Sequence, residues 1–348
     1  MISRRNCLAA AGALATLPRF AIAQSVPELQ TMRSTSKAWL WLGEDYAQAG
    51  GFFERAQVKV VSNASNRGTN IAALAGNSGV DIVTGDPGEL MNAVSQDFGA
   101  KSFLHSVNRY ASHVVVRKEV LDRAGVSESS PLPAKLAAMK GLRLGTTGPG
   151  AAPDNLLRWL AVKGGLNPNS DTQLVPMQGG GPGMIAGLQQ KVIDGFCLSS
   201  PTSDIAVMRA DCAYLFNNAT NPPPDLAPFC YIIASASTRG LRDKREALIR
   251  YATGVSMALR SIRDEPEKFR AFATNFLELD PAIATQAVEA NSRIFATDPV
   301  FTPELYRRNT EFLSVARVSQ GEPPVPASLT LDRIFDGSIL AEAAKRLP

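Results

Sequence analysis

The chain has 348 residues, 45% of them hydrophobic, with 36 Lys and Arg against 32 Asp and Glu and a formal net charge of +4. That length exceeds what one hydrophobic core ordinarily supports and suits two lobes of common size. No Lys/Arg run interleaves with aromatics, which argues against a nucleic-acid partner, and past the N-terminus no stretch approaches the roughly 20 consecutive apolar residues that span a bilayer.

Arg4 and Arg5 precede an apolar run, CLAAAGALATL from Cys7 to Leu17, and Ala21-Ile22-Ala23 forms an A-x-A cleavage site before Gln24. Residues 1–23 therefore read as a signal peptide. Ser3-Arg4-Arg5 with Leu8 fits a twin-arginine pattern, an ordinary Sec signal being the alternative. Cleavage removes Arg4, Arg5 and Arg19 and no acid, so the formal charge falls to +1. Cys7 opens the apolar run instead of following it, so the expected product is a freely soluble periplasmic protein without a lipid anchor.

In chain order, the periodicity predicts a strand over 28–33, a loop, a helix over 38–48 and a strand over 57–61. A helix over 69–75, a strand over 80–84 and a helix over 87–96 follow. Asp86, in TGDP, reads as the N-cap of that helix, with a place beside a ligand as the alternative. Strands over 102–107 and 113–116 close the first unit, and the chain is expected to cross to a second lobe near Arg117. That lobe contains LAAMKGLRLGTTGPGAAPDNLLRWLAVKGGLNPNSDTQLVPMQGGGPGMIAGLQQKVIDGFCLSSP from Leu136 to Pro201, a βαβαβ unit with a small-residue loop after each strand. Such loops aim backbone N–H groups at helix starts into one crevice. The proline-rich segment 217–229 ends the second lobe, and the return crossing falls near Tyr231.

Beyond Ile233 the sequence turns helical. Leu248, Tyr251, Ala252, Val255, Leu259 and Ile262 recur at three- and four-residue spacing and form a core stripe. Segments 266–277, 281–295 and 303–316 each open with Pro, which suits a helix's first turn. The expected division is residues 24–116 and 230–348 in lobe one and 117–229 in lobe two.

Two phosphate-binding readings of GTTGPGAA fail. A P-loop needs Lys then Ser or Thr after its last glycine, whereas Ala151 and Ala152 follow Gly150. The dinucleotide fingerprint fails because Pro149 removes an N–H and no acid ends the next strand. Two histidines, His105 and His113, and the absence of metal-ligand spacing predict no metal and no cofactor. Of the cysteines past residue 23, Cys197, Cys212 and Cys230, at most two can pair, and three small buried hydrophobes are the simpler expectation.

The runs KGLRLGTTGPGAAPDNLLRWL, the Gly-rich helix start after VPMQ, and KVIDGFCLSSP resemble solute-binding proteins of the sulfonate/nitrate/taurine/thiamine-precursor group of ABC importers. The likeness extends to 47–62 and 79–99. It implies the α/β, two-lobed type II periplasmic binding protein fold, each lobe a mixed sheet flanked by helices, with a helical C-terminal region. It also implies capture of a small anionic ligand by hinge closure, delivery to a permease in the inner membrane, and a monomer. By the same geometry the ligand is expected at Ser34, Thr35, Ser36 and Trp39, at Thr84 and Asp86, and at His113 near the crossing. In lobe two it is expected at Thr146, Thr147, Gly148, Gly179, Gly180, Ser199 and Ser200. Hydroxyls and helix-start N–H groups would hold a sulfonate or carboxylate, and Trp39 would cover an organic body, core packing being its alternative. Arg109 and Arg117 are further counter-charge candidates, with solvent exposure as the ordinary outcome. The first loop, STSKAWLW, departs from the family's usual pattern in its tryptophans, which disfavours a small inorganic anion.

Other readings are a pyrimidine-like ligand, a sensor subunit, or an enzyme on the same fold. Catalysis fares poorly: the first loop carries Ser34-Thr35-Ser36 where a desulfinase-like nucleophile would be Cys, and no G-x-S-x-G elbow exists.

Overall fold

The computed structural model describes residues 25–65, 67–76 and 78–348. The expected signal peptide lies outside the described residues.

The first sheet opens with β1 (Glu28–Arg33), followed by α1 (Leu42–Ala49), α2 (Phe52–Arg55), β2 (Lys59–Ala64), β3 (Ile82–Gly85), α3 (Pro87–Ser95) and β4 (Ala100–Val107). The second is built from β5 (Ser112–Arg117), α4 (Lys118–Ala124), α5 (Leu132–Ala137), β6 (Arg143–Thr146), α6 (Ala152–Lys163), β7 (Gln173–Pro176), α7 (Gly180–Gln189), β8 (Gly195–Ser199), α8 (Thr202–Arg209) and β9 (Cys212–Phe216). The chain then returns through β10 (Ile232–Ser237) and continues as α9 (Thr238–Asp243), α10 (Arg245–Asp264), α11 (Pro266–Phe276), α12 (Pro281–Asn291), α13 (Pro303–Ser319), α14 (Leu331–Ile334) and α15 (Gly337–Ala344).

Strand orders are β2-β1-β3-β10-β4 and β7-β6-β8-β5-β9. In the first sheet β1 runs parallel to β2 and β3, and β10 is antiparallel to β3 and β4. The second repeats this plan: β6 runs parallel to β7 and β8, and β5 is antiparallel to β8 and β9. Each sheet thus contains one strand donated by a crossing, and the parallel β–α units on the other strands aim their loops at a shared cleft.

Two expectations about chain division need correction. Ser112–Arg117 pairs with β8 and β9, so the first crossing runs through 108–111 and not near Arg117. A fully buried apolar strand such as SHVVV fits the middle of either sheet, which is why its pattern cannot choose between them. The C-terminal region, expected in lobe one, packs on both lobes. α13 lies against α3 and also against α6, while α12 touches α8. Phe312 on α13 meets Trp159, Tyr110 and Phe229, with ring centroids 5.7, 5.2 and 5.3 Å away.

Local chemistry accounts for several element ends. The 38–48 segment begins as a 3₁₀ turn over Trp39–Trp41 before α1. The 69–75 segment is reduced to a 3₁₀ turn over Ile71–Leu74. Helices α11, α12 and α13 open with their prolines, and Thr302 and Asp280 accept backbone N–H bonds as caps. The core stripe on α10 is buried throughout. Cys197, Cys212 and Cys230 are buried and free. Among the described residues no helix is long and apolar enough to cross a membrane.

Candidate ligand-binding cleft

The loop after β1 is set from beneath by Arg33. Its buried guanidinium donates to the Ser36 carbonyl oxygen at 2.8 Å and to Asp45 Oδ1 on α1 at 2.6 Å. Burial pushes the Asp45 carboxyl up to about 7, against the pull of Arg33. Trp41 Nε1 donates to Thr35 Oγ1 at 2.9 Å, so the loop 34–36 is held at both its backbone and its hydroxyl. After β3, Asp86 caps α3 by accepting the Gly88 N–H at 2.8 Å. Burial, reinforced by neighbouring Glu89, raises its carboxyl to about 7. Glu89 accepts the N–H groups of Asn70 and Ile71, and burial raises it as well.

From the other lobe, Gly179 and Gly180 take left-handed backbone, with φ of 82° and 58°. Glycine supplies that conformation without Cβ strain. The turn starts α7 with no side-chain cap, leaving N–H groups at its positive end open. The start of α6 differs, because its own Asp154 already accepts the Gly150 N–H at 3.0 Å. Ser200 Oγ donates to Asp204, which also accepts the Tyr214 hydroxyl at 2.8 Å. At the crossings, the Ser112 and Tyr231 hydroxyls share a 2.6 Å hydrogen bond.

These loops enclose a cavity of about 790 Å³ lined from both lobes. Ser34, Thr35, Ser36, Thr84, Asp86, Thr147, Gly179, Gly180, Ser199 and Ser200 lie on its wall. Four residues expected there, Trp39, His113, Thr146 and Gly148, do not. Trp39 is fully buried in lobe one, its ring 5.9 Å from Phe269, because the 3₁₀ turn sends it inward and leaves Trp41 on the wall. His113 is buried in β5, where its Nδ1 accepts the Asn218 N–H at 3.1 Å and burial lowers its pKa. Thr146 is fully buried, and its Oγ1 accepts the Gly148 N–H at 3.2 Å, which folds that turn on itself. Arg117 is paired with Asp194 at 2.5 Å, and Arg109 donates to the Ala219 carbonyl.

The sequence reading missed Trp41, Arg67, Glu89, Ser112, Thr202 and Tyr231 on the wall. Trp41, Ser112 and Thr202 stand within two residues of expected positions and Tyr231 at the expected return crossing, whereas Arg67 and Glu89 carried no signal. All four charged wall residues, Lys37, Arg67, Asp86 and Glu89, belong to lobe one, while lobe two offers neutral donors and apolar surface. Lys37 is already paired with Glu278 at 2.6 Å. Across the cleft, the Trp39 N–H donates to the Ser200 carbonyl at 3.2 Å, and Gly68 lies against Thr147 and Ala151. Among the described residues no group of three or more His, Cys, Asp or Glu could hold a metal ion.

Two mixed sheets joined by two crossings, with a cleft lined from both sides, make up the two-lobed periplasmic binding protein fold. The NMT1-like family model matches residues 46–219, half of the chain, and the protein belongs to that family. A nitrate/nitrite binding protein, NrtA, of a Nostoc strain is 35% identical over 65 residues, which cover 19% of this chain and 14% of that relative's length. Among solved structures, the periplasmic nitrate-binding protein NrtA of Synechocystis superposes with a TM-score of 0.69 at 14% identity, covering 93% of this chain and 89% of its own. The periplasmic aliphatic sulphonate binding protein SsuA of Escherichia coli gives 0.65 at 18% identity, covering 88% and 97%. At such identities these structures speak for the fold.

Proposed function

We propose that the protein is the solute-binding component of an ABC importer, exported to the periplasm, that captures a small organic anion, a sulfonate or a carboxylate, by closing its lobes. The uncapped start of α7 facing a cavity lined from both lobes is the observation that carries this reading. An anionic head at the N–H groups of Gly180 and Gly181 gains from the helix's positive end, with the hydroxyls of Ser199, Thr202 and Thr147 beside it. The loop 34–36 and Arg67 face it from lobe one. A ligand touching both lobes draws the population toward the closed form, and the closed monomer then docks on its permease. The cavity falls in the range of roughly 300–1,000 Å³ typical of organic ligands, which argues for an organic cargo over nitrate. No bond is made or broken in this role.

A second reading, a nitrogenous ligand such as a pyrimidine-like base, draws support from Asp86 and Glu89 on the same wall, since carboxylates accept from ring or amino N–H groups.

A thermal-shift panel on refolded protein tests both readings, with sulfonates, aromatic and aliphatic carboxylates, nitrate and pyrimidines. A ligand at 100 times its Kd adds about 2.7 kcal/mol. A saturable shift with one organic-anion class is expected. A shift with nitrate alone, or with pyrimidines alone, would overturn the organic-anion reading.

A further inference from the structure

A second cavity, of about 350 Å³, sits at the β4 edge of the first sheet and shares no residue with the cleft. It lies between α10, α15 and the loops that flank β4. The His105 N–H donates to Pro299 O at 2.9 Å, the Asp336 N–H donates to Ser102 O at 2.8 Å, and Phe335 bridges to Ser102. Its apolar walls come from Leu259, Val300, Phe335, Leu340 and Leu347.

One polar group in that lining is buried. Ser256 on α10 is 3% exposed and lines the cavity, and its Oγ has no hydrogen-bond partner among the described residues. A buried hydroxyl left unpaired is destabilising, and such groups are rare in native proteins unless something binds them. One and two α10 turns on, Arg260 and Arg263 reach the rim. Arg263 is held by Asp264, but Arg260 makes one long contact, 3.4 Å to the Pro348 main-chain oxygen. Asp298 stands on the facing loop.

A deep hydroxyl, apolar sides and a rim guanidinium match one kind of molecule. We propose that this cavity is a second binding site, for a small hydroxylated aromatic carboxylate. The ring lies between Phe335 and Leu340, the ligand hydroxyl pairs with Ser256 Oγ, and the carboxylate faces Arg260. The site stands independently of the cleft assignment.

The test uses 4-hydroxybenzoate and benzoate as probes, read by calorimetry and ligand-observed NMR on the full protein with its cleft filled by Thr202→Trp. Saturable binding of 4-hydroxybenzoate should persist in that variant and vanish on adding Ala341→Trp, which plugs the mouth from an exposed position. Ser256→Ala should weaken 4-hydroxybenzoate about fivefold, the loss of one neutral hydrogen bond, and leave benzoate unchanged. Arg260→Ala should weaken both probes. Loss of all binding in Thr202→Trp would assign the probe to the cleft and overturn the second site. So would binding that survives Ala341→Trp, or equal weakening of both probes by Ser256→Ala. Near-ultraviolet circular dichroism checks that each variant is folded, and Ser256→Ala alone still decides the matter if Ala341→Trp is not.

Discussion

The contact between Gly68 and the start of α6 allows the closing motion to be tested at a wall residue with no side chain of its own, although a Cβ there also comes 3.5 Å from the Thr147 hydroxyl. A Cβ on Gly68 would stand 3.1 Å from Ala151 Cβ and 3.4 Å from the Thr147 carbonyl oxygen, where carbon atoms prefer about 3.5–4.0 Å. Alanine thus asks for a shift of a few tenths of an ångström. Valine adds two methyl groups about 1.5 Å farther out on a stiff side chain, and the lobes must separate to seat them. Overpacking of that kind costs about 1–3 kcal/mol. Gly68 is exposed on its own lobe, so the cost falls on the closed form. Affinity for the compound found in the panel should drop about 5- to 150-fold in Gly68→Val and little in Gly68→Ala. The melting temperature without ligand should hold steady or rise slightly, since replacing glycine narrows the unfolded ensemble. Calorimetric titration and a thermal scan measure the two quantities. Wild-type affinity in Gly68→Val, or a fall in melting temperature that parallels the affinity loss, would refute the wedge argument.

Three further outcomes are expected. Phe312→Ala should destabilise the protein by about 3–5 kcal/mol in urea unfolding, because the ring fills the junction of Trp159, Tyr110 and Phe229 behind the cleft. The Asp86 carboxyl, raised to about 7, holds its proton more tightly folded than unfolded. Its stabilising contribution is therefore full below its unfolded pKa of about 3.9 and is lost as pH rises through 7. Asp86→Asn, which keeps the cap, should flatten that decline in a pH series of melting temperatures, and an anionic ligand should bind wild type more tightly at pH 6 than at pH 8. Asp194 has the opposite sign. Burial works to raise it, but hydrogen bonds from Arg143 and Arg117 carry it down to about 2. Its contribution is present above about 3.9 and is lost as pH falls through 2, so Asp194→Asn should remove that part of the acid transition seen by circular dichroism.

The parts of the fold legible in the sequence were those where one residue type has one physical use. Pro at the start of α11, α12 and α13, the spaced stripe on α10, and Asp86 before Pro87 each announced a local structure that needs no distant partner. The sheet to which 112–117 belongs depends on pairing with β8 and β9, and an apolar run carries no address for its neighbours. Trp39 and Trp41 show the same limit at finer scale. A tight 3₁₀ turn, not the expected continuous helix, decides which of the two indoles faces the cleft. Tyr231, Ser112 and Arg67 reach the wall from segments far apart in sequence, so only the folded chain brings them to one cleft. Thr147, Gly179 and Gly180 could be named in advance because glycine-rich strand-to-helix turns place their own atoms.

The uneven distribution of charge across the cleft has a kinetic consequence. With Lys37, Arg67, Asp86 and Glu89 all on one lobe, the open molecule already presents its whole electrostatic signature to an approaching solute. The neutral lobe contributes afterwards, as a template for size and hydrogen-bond direction, so its substitutions should mainly shorten the time a bound solute stays. Two solutes of equal charge and different outline would arrive alike and part company only at the second stage.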